Sequence, residues 1–351
     1  EFGKIPYKEW RNYDFSKIRV YSGPFILKEW RKQEAIYLEK NPQFYKKGYP
    51  LVEQVVFRIV PDQSSLLTQF LSYAVDMMEL IPPKDVEKVK KDPNLALVTY
   101  PDRQYVYIGW NLKNPLFSNK NIRKALSMAV NTQEIINVVW HGYAKQSIGP
   151  IHSSLWAFNK NLVPLSYDPE KAKEILKNEG LKDTNGDGVL EYKGKPFEFE
   201  LITNKGNAIR EQTCILIQNH LSKLGIKVNL KFLEWNTMLK SLMSKNYDAC
   251  LQGWRVATKI DFKEIWHTEG GYNIIGYSNP EVDKLIEELE NISDIGEQKK
   301  YIDKIQELIY EDQPYTFIYE NMKINGINRR VQNYKMNVLS SFYNLFEWKV
   351  D

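Results

Sequence analysis

Between Phe197 and Trp254 the sequence changes its hydrophobic period from segment to segment: strand Phe197 to Ile202, helix Ile209 to Leu224, strand Ile226 to Phe232, helix Asn236 to Ser244, strand Asp248 to Trp254. This order confines the fold to the α/β class, because each helix must bury its apolar stripe on the sheet that its neighbouring strands build.

The rest of the chain carries the same kinds of signal. Arg19 to Pro61 alternates like sheet around Phe25 to Leu27, Ile36 to Leu38 and Val55 to Val60, with Asn41-Pro42 and Gly48-Tyr49-Pro50 as turns. Asp62 and the serines after it cap a helix to about Tyr73, and Pro82-Pro83-Lys84-Asp85 opens another over Val86 to Lys91. Leu95 to Asn111 reads as two strands on either side of Pro101-Asp102. Helices follow over Lys120 to Val130 and, capped by Asn131, over Thr132 to Trp140. Asp168-Pro169-Glu170 starts a helix that Gly180 closes. Helices Pro280 to Glu290 and Glu297 to Asp312 precede a strand from Tyr315 to Glu320, and the polar, aromatic stretch Arg329 to Asp351 reads as irregular chain packing back on the first domain.

A chain of 351 residues exceeds one ordinary core and suits two domains. A net charge of +4, with both signs interspersed, gives no nucleic-acid footprint. No stretch approaches the ~20 apolar residues that span a bilayer. Glu1-Phe2-Gly3-Lys4 does not open a secretory leader. The 22 Tyr, 15 Phe and 9 Trp read first as generous cores, and the Tyr and Trp, each with a polar handle on an apolar body, also suit a ligand cleft. Cys214 and Cys250 read as buried small hydrophobes, one in a helix and one in a strand.

Catalytic patterns are sparse. His141, His152, His220 and His267 stand in separate segments, without a His-Glu-x-x-His, a Gly-x-Ser-x-Gly or a phosphate-binding glycine loop. Asp183-Thr184-Asn185-Gly186-Asp187-Gly188 alternates acids and amides before glycine, as calcium loops do. With Glu191 these residues are candidate ligands for a structural Ca²⁺. Gly194 stands where a calcium loop places its bidentate Glu, so a polar turn is the competing reading.

Six strings in order bear a family likeness: Ser22-Gly23-Pro24-Phe25 with Lys28-Glu29-Trp30; Leu38-Glu39-Lys40-Asn41-Pro42; Arg58-Ile59-Val60-Pro61-Asp62 with Val75-Asp76; Trp110-Asn111 with Pro115-Leu116-Phe117, Ile122-Arg123-Lys124-Ala125-Leu126 and Ala129-Val130-Asn131; Tyr167-Asp168-Pro169-Glu170-Lys171-Ala172; and Gly276-Tyr277-Ser278-Asn279-Pro280. In these the chain resembles the bacterial extracellular solute-binding proteins of family 5, the peptide/nickel type. The resemblance implies a periplasmic-binding-protein-like type II fold, two lobes with mixed sheets. It places residues 1–97 and 316–351 in a first lobe that is incomplete, and 98–315 in the second lobe. It further implies that Glu1 is not the natural start, that any lipid anchor belongs to a part preceding it, and that the protein is periplasmic or extracellular.

The function implied is the substrate-binding component of an ABC importer. Such a protein captures a peptide or other small solute between hinged lobes, hands it to a membrane permease, and performs no chemistry on it. The strand Cys250 to Arg255 resembles the family's cleft strand. Gly253 would admit another backbone there, Trp254 would form an apolar wall, and Arg255 would receive a carboxylate or a polar group. Trp235 aligns with a ligand-facing tryptophan, and Asn111 and Asp261 are grouped with the same site. The acid that holds a peptide's α-amino group in relatives falls on Ala257 or Thr258, with Asp261 the nearest acid beyond. An oligosaccharide therefore stays open beside an oligopeptide. A secreted hydrolase on a similar scaffold, and a sensor that presents its ligand to a membrane receptor, are the other readings.

Overall fold

The computed structural model describes residues 6, 8, 9 and 21–351. The opening Glu1 to Lys4, and Arg19 and Val20 at the head of the first sheet-like segment, lie outside them. The chain divides into two compact units, one taking the residues up to Tyr100 together with Lys323–Asp351, the other Pro101–Met322.

In the first unit, β1 (Phe25–Arg31), β2 (Ala35–Lys40) and β3 (Gln54–Arg58) form an antiparallel meander. The Asn-Pro turn after β2 is held by Asn41, which is buried, donates to Gly23 O at 2.8 Å and accepts from Gln43 N–H at 3.0 Å. Helix α1 (Gln63–Leu71) starts where Asp62 accepts the Ser65 N–H at 2.7 Å, satisfying one of the free amides of the first turn. β4 (Met77–Met78) and α2 (Val86–Lys90) follow.

β5 (Leu95–Trp110) then runs without interruption through Pro101 and Asp102, where two strands are expected from the sequence. The reason lies in its pairing with the later cleft strand, which reaches only as far as Gln104↔Arg255, extended by Val256 N–H to Arg103 O at 2.7 Å. Pro101 stands beyond that ladder, so its missing N–H costs no bond to that strand.

The second unit continues with α3 (Lys120–Ala129), α4 (Thr132–Val139), β6 (Ala144–Gln146) and α5 (Pro169–Asn178). Asn119, Asn131 and Asp168 cap the three helices through their side chains. A small hairpin, β7 (Glu191–Tyr192) and β8 (Lys195–Pro196), precedes the α/β run of β9 (Glu198–Asn204), α6 (Ala208–Ser222), β10 (Lys227–Leu233), α7 (Trp235–Met243) and β11 (Ala249–Arg255). Then come α8 (Lys263–Trp266), α9 (Pro280–Leu289), α10 (Ile295–Asp312) and β12 (Tyr315–Asn328). β12 passes well beyond the expected end at Glu320 and leads to β13 (Val331–Gln332) and β14 (Lys349–Val350).

The strands of the second unit line up as β10-β9-β11-β5-β12, with β6 along β12. β10 and β11 run parallel to β9, while β5 is antiparallel to β11, which makes the sheet mixed. Apolar side chains cover both faces. One core gathers Val106, Ile108, Trp110, Phe117, Leu126 and Ile217 under α3, α4, α5 and α6. The other gathers Tyr105, Tyr107, Met238, Trp266, Ile305 and Tyr315 under α7 to α10. Cys214 and Cys250 are fully buried, one in each core, and burial pushes the Cys250 thiol up to about 12. Neither thiol is a nucleophile at neutral pH. No helix among the described residues is long and apolar enough to cross a membrane.

Candidate ligand-binding site

β9 and β11 pair only at Leu201↔Ala249 and Ile202↔Cys250, yet β9 continues to Asn204 and β11 to Arg255. Parallel strands that separate at their carboxyl ends open a crevice, the usual place for a ligand in an α/β sheet. Here the crevice holds a cation. Arg210, near the start of α6, donates from Nη1 to Asn204 Oδ1 at 2.8 Å on one strand and to Gln252 Oε1 at 3.0 Å on the other. Gln252 is oriented by its own amide, which donates to Met238 Sδ at 3.2 Å. Arg210 is only 9% exposed, and both its partners are neutral. Among the described residues no carboxylate pairs with it. A buried guanidinium without a counter-charge is costly, and its planar fork matches a carboxylate.

Gly253 makes this arrangement possible. A Cβ there would stand 2.9 Å from Gln104 Nε2, 2.9 Å from Tyr105 O and 3.1 Å from Arg210 Nη2. The room that the missing side chain leaves is thus taken by the protein's own Arg210 and Gln104. Gln104 Oε1 in turn accepts from Asn321 Nδ2 at 3.2 Å, and Asn321 Oδ1 is a buried acceptor that receives no hydrogen among the described residues. The crevice therefore shows an unanswered positive charge, while the Asn321 acceptor lies beyond Gln104, on β12.

Trp254 is half-buried. Its indole N–H donates to Tyr315 Oη at 3.3 Å, and its ring meets Tyr272 edge-on, with centroids 6.1 Å apart. Trp235, the first residue of α7, is 49% exposed at the same carboxyl edge, where β10 ends.

Three of the residues that the sequence groups with the site are engaged otherwise. Arg255 forms a bidentate pair with the buried Asp102, at 2.7 and 2.9 Å, so its capacity for a ligand carboxylate is already used. Asp261 accepts the Lys263 N–H at 2.9 Å and shapes the turn into α8. Asn111 lies at the opposite end of β11, next to Ala249↔Trp110, where it donates to Lys245 O at 3.0 Å and Tyr247 O at 2.6 Å and accepts from Lys113 N–H at 3.2 Å. A seven-residue strand puts about 20 Å between it and the crevice. Asn111 is a fastener of that loop, not a member of the site. Arg210, Gln252, Gln104 and Asn321 are the residues that sequence reasoning passed over.

The acidic loop brings oxygens of Asp183, Asp187 and Glu191 within 4.8 Å of one another, the donor type that Ca²⁺ uses. The loop also serves itself. Asp183 accepts from Gly186 N–H at 2.6 Å and Gly188 N–H at 2.9 Å, which holds its carboxyl below the usual range. Asp187 accepts from Val189 N–H and from Asn185, and Glu191 from Thr184. These hydrogen bonds hold the loop in shape.

Among the described residues the histidines show no hydrolytic relay. Ser154 Oγ lies 2.9 Å from His152 Nδ1, but His152 Nε2 is 3.6 Å from Glu320, beyond hydrogen-bond reach, and Glu320 holds Ser153 instead.

Residues 1–267 match the family model described as bacterial extracellular solute-binding proteins, family 5 middle. The chain belongs to this family. Among its relatives, the oligopeptide-binding protein AppA of Bacillus subtilis is 34% identical over 354 residues, which cover 99% of this chain and 65% of that protein. Di/tripeptide-binding protein 1 of Pseudomonas aeruginosa is 26% identical over 344 residues, 96% of this chain and 62% of that protein. The chain thus spans somewhat less than two thirds of the length of these curated relatives. The solved structure of the Bacillus subtilis AppA, in complex with a nonapeptide, superposes with a TM-score of 0.79 at 33% identity, covering all (100%) of this chain and 71% of that one. NikA from Brucella suis gives a TM-score of 0.85 at 19% identity over 94% of this chain and 68% of its own, a likeness of fold alone. The fold is that of the type II periplasmic binding proteins.

Proposed function

We propose that this chain is the ligand-capturing part of an ABC-importer solute-binding protein, working outside the cytoplasm with a membrane permease, and that it takes an oligopeptide with a free carboxylate. One observation carries the choice of ligand: the buried Arg210 guanidinium, set between diverging strands with only neutral partners. A peptide carboxylate supplies the missing charge. The exposed end of β11 suits an extended ligand, with Trp254 and Trp235 as apolar walls. Capture between hinged lobes, as the resemblance implies, belongs to the same proposal.

The relatives bind oligopeptides and di/tripeptides by name, which supports a peptide over an oligosaccharide. Nothing in the histidine geometry or among the relatives supports a hydrolase. Titration calorimetry with a nonapeptide, its C-terminal amide and a maltooligosaccharide tests the reading. The free acid should bind at least about tenfold tighter than the amide, the loss expected for one unmet charge-assisted hydrogen bond. Equal affinities for acid and amide, or binding of the sugar alone, would refute it.

A further inference from the structure

Tyr272 is an aromatic ring kept out in solvent by a rigid mount. It is 52% exposed, although the loop around it is fastened by backbone and side-chain hydrogen bonds. Tyr272 N–H donates to Glu264 O at 2.8 Å, and Ile274 N–H donates to Tyr272 O at 2.8 Å. The buried side chain of Asn273 ties both ends of the loop, donating to His267 O at 3.1 Å and Tyr277 O at 2.7 Å and accepting from Tyr277 N–H at 2.9 Å. At Gly270 a Cβ would come within 2.5 Å of the Glu264 and Lys263 carbonyl oxygens, so only glycine lets the loop lie against α8. A mount of this kind fixes where the ring stands, and the ring stands edge-on to Trp254. Trp254 is itself fixed, through Tyr315, which stacks on Tyr107 with centroids 3.7 Å apart.

Two preorganised rings with partly free faces, one of them next to Gly253 on the crevice strand, form a receptacle for an apolar side chain. Rigid aromatics add contact area at low entropic cost, and an edge-to-face pair accepts a third ring or a long aliphatic chain against its open side. We infer that Trp254 and Tyr272 form a side-chain subsite that selects a large apolar residue of the bound peptide. This rests on the peptide-binding reading above, and it names Tyr272 as a specificity-determining residue.

The test uses alanine-serine nonapeptides in which a single Phe is moved along the sequence, with the Phe-free parent as reference, titrated into the chain and its Tyr272→Ala and Tyr272→Phe variants. For the unaltered chain, at least one Phe position should bind about fivefold tighter than the parent, the size of an aromatic contact. Tyr272→Ala should bring that position to within about twofold of the parent peptide measured on the same variant, and Tyr272→Phe should retain the preference. Because Tyr272 is exposed, unchanged melting temperatures will show that both variants fold. Peptide binding with the same Phe preference in Tyr272→Ala would overturn the subsite and leave the peptide reading standing. Binding of no nonapeptide by the unaltered chain would overturn both.

Discussion

Arg210 lies 3.0 Å from the amide oxygen of Gln252 and 2.8 Å from that of Asn204, and these neutral contacts are its charge's only hydrogen-bond partners among the described residues. Two strands that part after Ile202 and Cys250 keep the guanidinium between them.

Replacing Arg210 by Gln should abolish the preference for a free-acid peptide over its amide and weaken binding of the acid by about a hundredfold, as loss of a charged hydrogen-bond pair does. Stability should move the other way. Removing a buried charge that has no counter-charge relieves its desolvation cost, so the melting temperature of Arg210→Gln should equal or exceed that of the unaltered protein. Calorimetric titration and thermal unfolding of the same preparation check both.

Arg255 should be a stability residue. Its substitution by Ala leaves the buried Asp102 carboxylate without its bidentate partner and should cost about 1–2 kcal/mol in denaturant unfolding, reduced from the buried-pair range because the arginine side chain is 54% exposed. The preference for free-acid peptides should be unchanged in this variant.

Asn111→Ala separates the two ends of the sheet. Without it the Lys245 and Tyr247 carbonyls lose their donor, and stability should fall by about 1–3 kcal/mol. Ligand affinity, measured well below the melting temperature, should stay within about twofold of the original, since distant sites act independently.

Trp254→Ala should weaken binding by more than about tenfold without unfolding the chain, since the residue is half-buried and sits at a strand end. Its indole also reports occupancy. Ligand-dependent change in tryptophan fluorescence should shrink in this variant, and an undiminished change would move the ligand away from β11.

His152 sets an acid limb. Burial, above all, brings its pKa down from 6.5 to about 4; Asp102 opposes the shift, while Lys145 and Arg103 reinforce it. As pH falls below 6.5, the unfolded chain takes up a proton that the folded chain refuses, so stability present above 6.5 is lost on the way to 4. The loss reaches up to about 3 kcal/mol. Glu320, which burial raises against hydrogen bonds from Ser153, works oppositely, its charged form being relieved as it protonates. Thermal unfolding from pH 7 to pH 4 should therefore fall less steeply for His152→Gln, and an identical slope would contradict the assignment.

What the sequence discloses is what local chemistry decides. Asp168 and Pro169 start α5 because a capping carboxylate and a ring-fixed φ act within one turn, and the strand–helix alternation from Phe197 to Trp254 survives as β9 to β11 with α6 and α7. The break expected at Pro101 fails because a proline is judged by its partner strand, and β11 ends before reaching it. Arg255 reads as a free cation until Asp102, 153 residues away in sequence, is seen to hold it. Arg210 offers no local pattern at all. It is one more polar residue opening a helix, and its isolation exists only where β9, β11 and α6 meet.

Native mass spectrometry of the chain mixed with a nonapeptide tests the central claim most directly. The account predicts an adduct heavier by the mass of the whole peptide, released unaltered on denaturation and lost when Arg210→Gln and Trp254→Ala are combined. Shortened peptides in the released fraction, or an adduct that persists in the double variant, would contradict it.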